Sequence, residues 1–128
     1  NVTEGIRNSS VFDFSAYAFE QCEEIMKYYR DARFVLAMRG HGQIVPLGFR
    51  TPVITFSAHE KVEGMMKSLG LSHYHIDLHS DLFTSQVLNL VKEIESNREK
   101  VIREIDEFML AIEADTKSEF SLIKELLD

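Results

Sequence analysis

Seven residues in two short stretches have the types and spacing to hold an anion. Arg39, Gly40, His41 and Gly42 follow the apolar run at residues 34–38, and Ser57, His59 and Lys61 follow a second apolar run at residues 53–56. A guanidinium offers paired N–H donors that match a carboxylate or a phosphate. An imidazole changes charge near neutrality and can hand over a proton. Glycine lets a ligand come close to the backbone. The combination suits a small molecule carrying phosphate or carboxylate.

The chain that must position these residues has 128 amino acids, enough for one domain with one core. It is acidic, with 14 Lys and Arg against 21 Asp and Glu, so the local cationic cluster stands against the net charge of −7. No basic run offers a footprint for nucleic acid. No apolar stretch reaches membrane-spanning length and no signal peptide opens the chain, so a cytoplasmic location is expected. Cys22 is the single cysteine, which rules out an intrachain disulfide and fits a reducing compartment. Asn1-Val2-Thr3 and Asn8-Ser9-Ser10 match the glycosylation triplet, a pattern common by chance.

Residues 1–13 lack periodicity and read as a loop. Ala18, Cys22, Ile25, Met26 and Tyr29 recur at helical spacing and predict a helix from Ser15 to about Arg30. Residues 34–38 and 53–56 read as strands buried on both faces, and residues 73–78 as a weaker third. Between the first two, a short helix is expected over residues 42–47, with Pro46 in or just past its first turn and Gly48 ending it. Ser57 and Glu60 have capping-box spacing for the next helix. Its inner face is Val62, Met65, Met66 and Leu69, and its terminator is Gly70 followed by Leu71. From residue 82 the chain should be helical, broken once where Ser96 and Glu99 form another capping box. Val101, Ile105, Phe108, Ile112, Leu122 and Leu126 then line a long stripe.

Strands alternating with helices over short connections imply parallel strands joined by right-handed crossovers. The expected fold is α/β, a Rossmann-like parallel sheet with flanking helices and a helical C-terminal tail. Ligands bind such sheets at the carboxyl edge of the strands. Both strand-to-helix turns would then open on one rim, each with helix amides and a dipole end facing the ligand. Arg50 precedes the second strand, belongs to the opposite edge and is excluded.

Residues 32–71 carry an Arg-x-His after a buried strand (Arg39, His41), a glycine and proline leading into the next strand (Gly48, Pro52), and a lysine in the helix after it (Lys61). This ordered set resembles the C-terminal domain of the polysaccharide pyruvyl transferase family. The resemblance covers about a third of the chain closely and the helical tail loosely. It implies the C-terminal, Rossmann-like half of a GT-B fold, with residues 1–128 as one domain of a larger two-domain enzyme. It implies phosphoenolpyruvate as donor, a sugar diol as acceptor held by a missing N-terminal domain, and no cofactor. Arg39 and His41 would contact the donor, His41 as general acid or as a hydrogen-bond donor, with Lys61 and the amides near Ser57 and His59 holding phosphate. Many family members have leucine between the Arg and the His, where this chain has Gly40. A nucleotide-sugar donor is therefore the alternative.

Two other readings remain. His73, His75, Asp77 and His79 alternate along the third strand, a spacing that cannot wrap one metal ion without further ligands, so no metal is expected. The C-terminal stripe is a candidate surface for an oligomer, and the chain could be a non-catalytic assembly module.

Overall fold

The structure, a computed structural model, describes residues 22–127. Helix α1 spans Cys22–Asp31. Strand β1 (Val35–Ala37), helix α2 (Gly40–Gly48), strand β2 (Val53–Ser57), helix α3 (Glu60–Ser68) and strand β3 (His75–Asp77) follow in strict alternation. Helices α4 (Phe83–Ser96) and α5 (Arg98–Leu127) complete the chain. The strands pair in the order β1-β2-β3, both pairs parallel, with Ala37 opposite Thr55 and Thr55 opposite His75. The expected α/β class and parallel sheet are present. The glycosylation triplets, the N-terminal loop and the start of the first helix lie outside the described residues. None of the described helices is long and apolar enough to cross a membrane.

Each element follows from its residues. Central β2 reads Val-Ile-Thr-Phe-Ser and is buried at every position but Phe56, as a strand covered on both faces should be. Its Ile54 is fully buried in a cluster with Ile76, Met66, Ile94, Val101 and Ile105. Phe56 meets Phe83 of α4 edge-to-face at 5.5 Å. The β1 strand departs from expectation. It is an edge strand, and Leu36 and Met38 stand 48% and 54% exposed. The apolar run alone does not say that one side of the strand has no neighbouring strand among the described residues.

The β1–α2 and β2–α3 units repeat on one twenty-residue spacing. Their helix N-caps are Arg39 and His59, and their only left-handed residues are Arg50 (φ 58°) and Gly70 (φ 66°). Both helices end alike. The Leu71 amide donates to the Met66 carbonyl and the Gly70 amide to that of Lys67. Likewise the Thr51 amide donates to Pro46 and the Arg50 amide to Leu47. These paired bonds are a Schellman ending, in which glycine normally takes the left-handed place. Gly70 with buried Leu71 does what the sequence predicts. The α2 ending does not: the helix runs from Gly40 through Gly48, Pro46 falls in its second turn, and Arg50 stops it.

Arg50 is kept in this unfavourable backbone region by its side chain. Its guanidinium donates to Asp106 (2.9 Å) and Glu113 (3.0 Å) of α5 and to the Gly48 carbonyl (3.0 Å), which places it away from the β1 and β2 carboxyl ends. The hydrogen bond to Asp106, then that to Glu113, holds the guanidinium even more firmly protonated than usual. Arg50→Gly and Arg50→Ala both lose these pairs, but only alanine keeps a β-carbon at positive φ. Urea denaturation should find Arg50→Gly more stable than Arg50→Ala by about 1 kcal/mol. Equal stabilities would mean that the backbone there carries no strain.

Two capping boxes read from sequence do not form. Ser57 stays in β2, where its hydroxyl donates to the His59 carbonyl and accepts from the His59 amide, so His59 becomes the N-cap of α3. The break between α4 and α5 falls at Asn97, one residue past Ser96.

Candidate functional site

Three strand ends make one rim. Strand β1 ends at Ala37 and hands over through Met38 to Arg39. Strand β2 ends at Ser57 before Ala58 and His59, and β3 ends at Asp77 before Leu78 and His79. Arg39 and His59 are both extended N-caps (φ −127°, ψ 153° and φ −116°, ψ 127°), and neither side chain caps its helix. The first-turn amides therefore lack the side-chain oxygen that Ser, Thr, Asp or Asn would supply.

The two helix starts differ in charge. Helix α3 carries Glu60 and Glu63 in its first turn, which already offset its positive dipole end. Helix α2 has no acidic residue in its first turn, which reads Gly-His-Gly-Gln. Arg39, Gly40 and His41 are exposed there. Among the described residues, the Arg39, His41, His59 and Lys61 side chains make no hydrogen bond or ion pair. The two glycines have separate reasons. A β-carbon on Gly42 would lie 3.4 Å from the Ala37 β-carbon, so Gly42 lets α2 sit close on the sheet. A β-carbon on Gly40 would meet nothing within 4 Å, so the backbone there faces open space.

One residue beyond Gly42, Gln43 is fully buried, and neither its Nε2 nor its Oε1 has a hydrogen-bond partner. Its Cα–Cβ bond leans toward the helix N-terminus, as in any α-helix. Sequence reading passed over it, although a glutamine between two glycines and an apolar run is an unusual choice for a buried position.

The carboxyl ends of β2 and β3 enclose a cleft of about 430 Å³, lined by Ser57, His59, Glu60, Glu63, Ser72, His75, Asp77 and His79 among others. Ser57 and His59 are thus brought together. Lys61 lines a shallower depression that shares His59 and Glu60. Arg39, Gly40, His41 and Gly42 line neither. His75 is oriented by Thr55, whose Oγ1 lies 2.9 Å from His75 Nδ1, and Asp77 Oδ1 accepts the His79 amide at 2.8 Å. Three carboxylates face this cleft, so it favours groups that donate hydrogen bonds. Applying the strand-end rule to the third strand would have found Asp77 and His79. Glu60 and Glu63 were visible as a first-turn pair three residues apart.

The alternation expected along residues 73–79 is not one strand. His73 sits in the 3-10 turn Ser72–Tyr74 and bonds Glu93 of α4 at 2.8 Å, and His79 follows the strand. Among the described residues no three of His, Cys, Asp or Glu are grouped to hold a metal ion. No protein-family model matches the chain, and no curated protein or solved structure matches it either.

Proposed function

We propose that this chain binds the donor of a pyruvyl transferase, which moves pyruvate from phosphoenolpyruvate onto a sugar diol as a ketal during glycan synthesis. In this reading it is the C-terminal, GT-B-like half of the enzyme. One observation carries it: at the acid-free N-terminus of α2, beside the open backbone of Gly40, Arg39 and His41 stand exposed with no hydrogen-bond or ion-pair partner among the described residues. A guanidinium with no partner among the described residues of an acidic protein is available to a ligand carboxylate or phosphate.

The chemistry asks little more of this half. The donor methylene carbon takes a proton, which His41 is suited to deliver. The adjoining carbon becomes oxocarbenium-like and is attacked by one acceptor hydroxyl. Its bond to the phosphate oxygen breaks, and the second hydroxyl closes the ketal. Of the two hydroxyl protons, one replaces the proton used and the other leaves with phosphate. Arg39 and the Gly40 amide hold the anionic donor through these steps, with His59 and Lys61 across the rim.

Thermal unfolding of the chain tests the reading. Phosphoenolpyruvate at a hundredfold excess over its dissociation constant should stabilise the fold by about 2.7 kcal/mol, a rise of several degrees in Tm. Arg39→Ala should remove that rise while leaving the ligand-free Tm unchanged. A wild-type chain that does not respond refutes donor binding here.

The acidic cleft favours a second reading, a nucleotide-sugar donor. Ribose or sugar hydroxyls would donate to Glu60, Glu63 and Asp77, and the diphosphate would reach Arg39. A nucleoside diphosphate that raises Tm where phosphoenolpyruvate does not would select this reading.

A further inference from the structure

Past Glu113, which Arg50 bonds, the second half of α5 makes no hydrogen bond or ion pair to another element among the described residues. Residues 110–127 continue the helix for about 27 Å, and Leu110, Phe120, Leu122, Ile123 and Leu126 are 54%, 68%, 58%, 51% and 85% exposed. Ile112, Ile123 and Leu126 lie on the helical face that is buried earlier in the same helix, where Val101 and Ile105 are 1% and 2% exposed, with Phe120 at its border, whereas Leu110 lies on the far side. A solitary helix of this length is marginal in water, and its stability normally comes from packing an apolar face.

The residues along that face say what covers it. Met109, Ile112, Thr116, Phe120 and Ile123 fall within about 80° of one another on the helix. Their spacing is the same read from either end, centred on Thr116: Ile112 and Phe120 lie four residues out and Met109 and Ile123 seven, Met109 already packing partly on the core of its own chain. Two such helices running antiparallel pair Ile112 with Phe120, Met109 with Ile123, and Thr116 with itself.

The charges beside the stripe have the matching property. Asp106, Glu113, Lys117 and Lys124 share one flank, acids first and bases second. Antiparallel helices set each flank against the same flank reversed, so Lys117 meets Glu113 of the copy and Lys124 meets Asp106. Arg50 already bonds both acids, but one guanidinium against two carboxylates leaves a net negative charge for those lysines. Among the described residues Lys117 and Lys124 have no ion pair of their own. A two-fold interface must be self-complementary in this way. The unfavourable contacts lie close to the axis: Lys117 near its own copy on this flank, and on the other flank Asp115 near its own copy and near Glu119 of the copy.

We infer that α5 is a dimerisation helix, pairing antiparallel with a second copy of this chain across a two-fold axis at Thr116. The inference is independent of the donor reading.

Sedimentation and light scattering of the full chain test it. The wild type should form a dimer that dissociates on dilution. Phe120→Glu should be a monomer. Glu119→Lys, which turns the unfavourable contact with Asp115 into an attractive one twice per dimer, should tighten the dimer about tenfold. With Cys22→Ser as background, Thr116→Cys should oxidise to a disulfide-linked dimer. Lys124→Cys should not, because the two copies of that residue would be about 24 Å apart along the helices. A wild type that is monomeric up to its solubility limit overturns the inference. So does a dimer unaffected by Phe120→Glu, or Lys124→Cys cross-linking as readily as Thr116→Cys, the mark of parallel helices.

Discussion

Ile54→Ala should destabilise the fold by about 4 kcal/mol, against a total of roughly 5–15 kcal/mol for a domain of this size. Ile54 is fully buried in the central strand, with Leu36 of β1 as its register partner and Ile76 of β3 in the same buried cluster. Removing three carbons there loses their transfer energy and leaves a cavity that β2, pinned on both sides, cannot close. Ile54→Val, which removes one carbon, should cost only about 1 kcal/mol. The contrast with Leu36 makes the result specific. Leu36 points to the same face but is half exposed on the edge strand, so Leu36→Ala should cost less than about 1 kcal/mol. Urea denaturation of the three variants gives the ranking. A Leu36→Ala cost equal to that of Ile54→Ala would mean that the outer edge of β1 is covered in solution.

That contrast also marks what could be read from sequence. The alternation of elements was legible because strands of a parallel sheet are continuous apolar runs and the helices between them keep their own period. Gly70 was legible because a left-handed ending has a residue type of its own. The exposure of Leu36 was not, since position at an edge is a property of the whole sheet. The length of α2 was hidden by its composition: glycines and a proline argue against a helix over residues 40–48, and close packing of Gly42 on Ala37 overrides them. Its end was hidden because Arg50 takes a conformation that only its bonds to α5 justify. For the site, the topological rule found the ends of β1 and β2. It went unused at β3, whose three residues, His-Ile-Asp, hardly look like a strand. Whether a helix start is open to an anion depended on reading the first-turn acids, absent from α2 and present in α3.

Gln43→Met should stabilise the ligand-free chain by about 1–2 kcal/mol, an unusual direction for a change at a fully buried position. The glutamine amide has lost its water, and neither its nitrogen nor its oxygen has gained a partner. A buried amide in that state costs about 1–3 kcal/mol. Methionine keeps the unbranched length and nearly the same helix propensity, and has no strong polar group to satisfy. Chemical denaturation measures the gain, and a loss of stability would show that the amide is satisfied in solution, by an internal water for example. Natural sequences keep such a cost where function uses it. Gln43 lies two residues after His41, with its Cα–Cβ bond tilted toward the same helix start, so the response to phosphoenolpyruvate separates two reasons for its presence. If the first turn of α2 moves on binding and the amide then meets the donor, Gln43→Met should raise the ligand-free Tm and shrink the ligand-induced rise. If the amide never meets the donor, both Tm values should rise together, and the acid-free helix start with Arg39 is sufficient by itself.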